Sequence, residues 1–151
     1  DAGNAISTTS ITSAALAVSN LIALKVKLDT ANVPQQGRYV IIPPWYHGLL
    51  LGSDLFVRAD ASGDANTLRN GMVGRAFGFD VLVSNNCVNV TGDDWTIQAG
   101  YPGAITFAEQ IAKVEAYRPE SSFSDALKGL HLYGAKLLRP TGIATLTASI
   151  T

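Results

Sequence analysis

The sequence predicts an α+β fold built on a mixed, largely antiparallel sheet with a long helix near the N-terminus. Three observations predict it. Ala14 to Thr30 contains no Gly or Pro and sets Ala17, Leu21, Leu24 and Leu28 on one helical stripe. A proline pair, Pro43-Pro44, separates a β-branched run from a second short apolar stretch. The later apolar runs are short and punctuated by Gly, Asn, Asp and Pro, the pattern of successive strands. Helix, strand, helix and then strands is the order of an α+β domain, not of repeating βαβ units. A chain of 151 residues fits one domain with a buried core, and no internal repeat or linker divides it.

Residues 1–12 are small and polar, with Thr8, Thr9 and Ser10 in a row, and read as a loose lead-in. Ser13 is placed to cap the first helix, because its hydroxyl can accept from an unpaired N–H of the first turn. Val18, Ile22 and Val26 widen the apolar stripe, while Lys25, Lys27 and Asp29 keep the other side wet. A face that wide predicts packing against a sheet. Pro34 sets the stop near Asn32. Arg38 to Ile42 reads as an interior strand, ended by Pro43. Pro44 suits the first turn of a helix over Trp45 to Leu51, closed by Gly52-Ser53-Asp54.

Leu55 to Val57 is a further apolar contact, Asp60 to Asn66 a surface loop, and Asn70-Gly71 a tight turn. Val73 to Ser84 is broken by Gly74 and Gly78 into two strand pieces joined by a bend or bulge. Val88 and Val90 extend the sheet. Gly92-Asp93-Asp94 is another tight turn, Trp95 to Gln98 a strand, and Ala99 to Gly103 a loop. Ala104 to Tyr117 is strand-like, although Ala108 to Ala116 also carries helix formers, so both readings stay open there. Arg118-Pro119 breaks it. Leu130 to Leu138 and Ile143 to Ile150 are the last two strands, separated by Pro140.

Charged residues make up 15% of the chain, against roughly 25% in an average soluble domain. Such a composition fits faces covered by neighbours, and equally a neutral-polar surface. Net charge is −1 with no run of like charge, which excludes the basic stripe that direct nucleic-acid binding needs. Cys87 is the single cysteine, so neither an internal disulfide nor a cysteine metal cluster is available. No apolar run approaches the ~20 residues of a membrane span, and no signal-peptide pattern opens the chain. It begins with Asp1, which reads as a fragment or a processed product.

The residues offer little chemistry. A nucleophile–histidine device needs a base oriented by a third group. His47 opens a short helix and His131 lies inside a strand pattern; with Asp54 they make the best hydrolase set, and no activated nucleophile goes with them. No ligand pair has the spacing of a metal site. Gly71, Gly74 and Gly78 match neither nucleotide-loop motif, and Asp60, Asp64 and Asn66 lack the closing Glu of a calcium loop. Trp45 and Trp95 would serve a carbohydrate-binding alternative, while core packing is the commoner use of such rings. Tyr101, before Pro102, is expected to be exposed. No cofactor, metal or catalytic residue is expected.

The ordered blocks Arg38–Pro44 (RYVIIPP) with Trp45-Tyr46-His47, Leu68-Arg69-Asn70-Gly71, Gly78-Phe79, Ser84-Asn85-Asn86, Ile105–Gln110 (ITFAEQ), Gly129–Lys136 (GLHLYGAK) and Arg139-Pro140 carry a family resemblance. Over about residues 17–147 the chain resembles the C-terminal part of a tailed-bacteriophage major capsid protein with the Hong Kong 97-type fold. The resemblance implies a structural protein, not an enzyme. It implies residues about 13–110 and 143–151 in a capsomer-centre domain, and about 111–142 as strands of a peripheral domain. The family carries an N-terminal arm, an extended loop and a spine helix upstream of this region, and the resemblance finds no counterpart of them here.

The implied partners are other copies of the same protein, arranged as pentamers and hexamers of an icosahedral head that encloses a genome. No membrane partner is implied. The implied location is the virion, after synthesis in the bacterial host cytoplasm. Loops of the central domain would meet around the symmetry axes. Polar turns flanked by large side chains then make Arg69, Asp93, Asp94, Trp95 and Tyr101 the candidate subunit contacts.

Overall fold

The computed structural model describes residues 3–53, 74–121 and 123–150. Two compact units emerge: Asp1–Ala104 with Arg139–Thr151, and Ile105–Leu138. The expectations for Leu55–Val57, Asp60–Asn66 and Asn70-Gly71 lie outside the described residues, as do Asp54 and Arg69.

The first unit holds strands β1 (Asn4–Ser10), β2 (Arg38–Ile42), β3 (Arg75–Ala76), β4 (Phe79–Val83), β5 (Asn89–Thr91), β6 (Asp94–Gly100) and β9 (Ile143–Ser149), with helices α1 (Ala14–Thr30) and α2 (Pro44–Leu51). The sheet order is β1-β9-β6-β2-β4-β3, with β5 paired to β6. β1–β9 and β2–β4 are parallel and the other ladders are antiparallel, so the predicted mixed sheet is present.

The lead-in expected at the N-terminus is instead strand β1. Its Ser and Thr residues give no local apolar pattern, and order comes from a distant partner: Asn4 pairs with Ala144 and Ile6 with Leu146. Gly3 N–H donates to Pro140 O at 2.8 Å, the Asn4 side-chain amide donates to Thr141 O at 2.9 Å, and Ile11 is fully buried.

Helix α1 starts where expected, with Leu16 N–H donating to Ser13 Oγ at 3.4 Å. Ala17, Val18, Leu21, Leu24 and Leu28 are buried, but Ile22 and Val26 are exposed, so the covered arc is narrower than the sequence pattern. Asn20 takes the flank of that arc, its amide donating to Leu16 O at 2.9 Å. The core joins this arc to Tyr46 and Leu50 of α2 and to Val40, Ile42, Phe79, Ile97, Ala99, Ala144, Leu146 and Ala148 of the sheet. Burying each large aliphatic side chain there contributes about 1.5–3 kcal/mol.

Two buried polar groups fasten the helices. The Tyr46 hydroxyl donates to Ala17 O at 2.7 Å, joining α2 to α1. The Arg38 guanidinium donates to Asp29 Oδ1 at 2.7 Å, to Pro34 O at 2.7 Å and to Val33 O at 2.6 Å. Between β3 and β4 the chain turns on two residues, Phe77 at φ 51° and Gly78 at φ 83°. Positive φ at both positions is what a tight hairpin of this kind requires, and the predicted break at Gly78 is found there.

The second unit is an antiparallel ribbon of β7 (Ile105–Tyr117) and β8 (Ala126–Leu137). The stretch left open between helix and strand, Ala108 to Ala116, is therefore strand. β8 begins at Ala126, ahead of the expected Leu130.

Candidate subunit-contact site

Of the candidate contact residues, the four that are described, Asp93, Asp94, Trp95 and Tyr101, fall at two ends of one strand, and Arg69 lies outside the described residues. Gly92, at φ 59°, makes the turn from β5 into β6, and the Asn89 side-chain amide closes it by donating to Gly92 O at 2.7 Å. Asp93 is exposed on that turn. Asp94 and Trp95 are half-buried at the start of β6, opposite Thr91 and Asn89. Trp95 also pairs across the sheet with Ala148. Val88 and Val90 are both more than half exposed beside this turn. The corner therefore combines an acidic tip with uncovered aliphatic surface.

Tyr101 follows the far end of β6. At ~3.3 Å of rise per residue the seven steps from Asp94 put it about 23 Å away. It is half-buried and packs against the core, with its ring filling the space beside Gly103, so the exposure expected of it is not found. The predicted loop over Ala99 to Gly103 is replaced by the end of β6 and the short turn Pro102–Ala104. The structure thus groups Asp93, Asp94 and Trp95 and sets Tyr101 apart from them.

That second place is built as a clasp. Pro102–Ala104 and Pro140–Gly142 form two single turns that face each other. Tyr101 N–H donates to Gly142 O at 3.1 Å and Arg139 N–H to Ala104 O at 3.2 Å. A Cβ on Gly142 would stand 2.7 Å from Ala104 Cβ, so glycine is what allows the close approach. β7 begins at the residue after this clasp.

The two histidines lie on different elements. His47 is half-buried on α2. His131 is on β8, with Nε2 3.6 Å from Glu109 Oε2 and its ring 5.6 Å from that of Tyr133. Among the described residues no group of three or more His, Cys, Asp or Glu is placed to hold a metal ion. Trp45 packs against the core, edge-on to Tyr46 at 5.6 Å, and its buried indole Nε1 has no hydrogen-bond partner among the described residues. Its ring is half-buried against that core.

Sequence reasoning missed the ribbon as a candidate surface. The cross-strand register puts Ile105 opposite Leu137, Phe107 opposite Ala135 and Glu109 opposite Tyr133 on one face. The pairs Val114–Gly129 and Ala116–Leu127 continue it beyond an irregularity between Ile111 and Lys113. Phe107, Val114, Leu127 and Tyr133 are all exposed. The opposite face carries Lys113, Glu115 and Lys128, with Glu115 bridging the two lysines. The available signal was apolar residues on alternate positions of two adjacent segments with no covering helix between them.

The architecture is that of a Hong Kong 97-type capsid protein. A family model described as phage capsid protein matches residues 1–146, and the chain belongs to that family. A solved structure of Mycobacterium phage Che8 is 36% identical over 97% of this chain and 53% of its own, with a TM-score of 0.81. The capsid structure of cyanophage P-SCSP1u is 18% identical over 99% of this chain and 54% of its own, at TM-score 0.74. The mature capsid of bacteriophage PhiM1 is 18% identical over 93% of this chain and 50% of its own, at TM-score 0.71. The chain spans about half the length of each. Among curated proteins no match is found.

Proposed function

We propose that this chain is part of a phage major capsid protein that packs against copies of itself to build the icosahedral head enclosing the genome. The family match over residues 1–146 is the observation that carries the reading. The physical mechanism is many weak contacts, repeated and closed by symmetry, so that no single interface has to be strong. In this reading the sheet unit belongs to the domain that meets its copies around five-fold and six-fold axes, and the ribbon belongs to the peripheral domain. The protein is non-enzymatic, is made in the host cytoplasm and ends in the virion.

Within that reading the β5–β6 corner, with Asp93, Asp94 and Trp95, and the clasp residue Tyr101 are subunit contacts, together with Arg69. An exposed acidic tip beside Val88 and Val90 supports the corner. Packing of Tyr101 on its own core gives it a second, structural role.

Electron microscopy of the full-length product tests the reading. Closed shells are expected from the unaltered protein, and soluble monomers alone would overturn it. Trp95→Ala and Tyr101→Ala are expected to reduce shell yield. Normal shells from both variants would remove these residues from the contact set while leaving the capsid reading intact.

A further inference from the structure

We draw no further inference here: the strongest candidate, the apolar face of the β7–β8 ribbon around Phe107, Val114, Leu127 and Tyr133, carries nothing because no observation in the structure shows what covers it.

Discussion

Arg38 and Asp29 are joined at 2.7 Å, with the guanidinium almost wholly buried and the carboxylate about one-third exposed. The pair ties the last turn of α1 to the first residue of β2. Two further N–H groups of Arg38 donate to the carbonyls of Val33 and Pro34, in the connection between the two elements. A buried cation is tolerated there because a carboxylate and two backbone carbonyls accept from it.

Arg38→Met is expected to lower stability by about 3 kcal/mol, because two carbonyls and a carboxylate lose their donor together. Asp29→Asn is expected to cost less, since its site is partly wet. Urea unfolding of the two variants and of the double variant reads the coupling. Losses that simply add in the double variant would mean that the two side chains act independently.

Tyr46 gives a pH signature. Burial of its hydroxyl pushes its ionisation well above the ordinary tyrosine range. The folded state therefore keeps its proton at a pH where the unfolded chain, titrating near pH ~10, releases it. The contribution is complete below that pH and is lost as pH rises beyond it. Tyr46→Phe is expected to lose about 1 kcal/mol at neutral pH by leaving Ala17 O with one partner fewer. It is also expected to unfold less steeply between pH ~10 and 12. Thermal melts across that range check both effects, and an unchanged alkaline slope in the variant would exclude the assignment.

Gly142→Ala is expected to destabilise the chain by about 1–3 kcal/mol, since the new methyl meets Ala104 Cβ inside a backbone-bonded clasp. Gly134→Ala is the control, because its Cβ would meet nothing within 4 Å. Calorimetric midpoints compare the two. A loss at Gly134 as large as that at Gly142 would point to a general cost of replacing glycine.

The thiol of Cys87 is half-buried and sits 3.3 Å from Ser84 O, and burial pushes its ionisation upward. Alkylation proceeds through the thiolate. Labelling at pH 8 is therefore expected to be several-fold slower in the folded chain than in urea. Equal rates would show that the segment from Ser84 to Val88 opens freely.

Much of the fold was legible in the sequence because local and long-range preferences agree there. Ser13, the stripe from Ala17 to Leu28 and the proline pair bound α1, β2 and α2 by capping, periodicity and backbone geometry. β1 was not legible, because a Ser/Thr-rich strand draws its order from β9, far along the chain. The exposure of Ile22 and Val26 was hidden for a related reason: a helical stripe says which residues share a side, not how far a neighbour reaches around it. The acidic turn after β5 was visible as Gly92-Asp93-Asp94. The packing of Tyr101 was not, since it depends on Gly37 and Gly103 leaving room for its ring. The Arg38–Asp29 pair was also invisible, because a lone charge at a strand start carries no sign of being buried.

The amide of Arg139 and the carbonyl of Ala104 already meet at the root of the 34-residue excursion between them. The excursion is therefore a cassette spliced between two positions that are neighbours in their own right. An edit confined to the step from Ala104 to Arg139 would exchange the insert and leave the Arg139–Ala104 hydrogen bond in place.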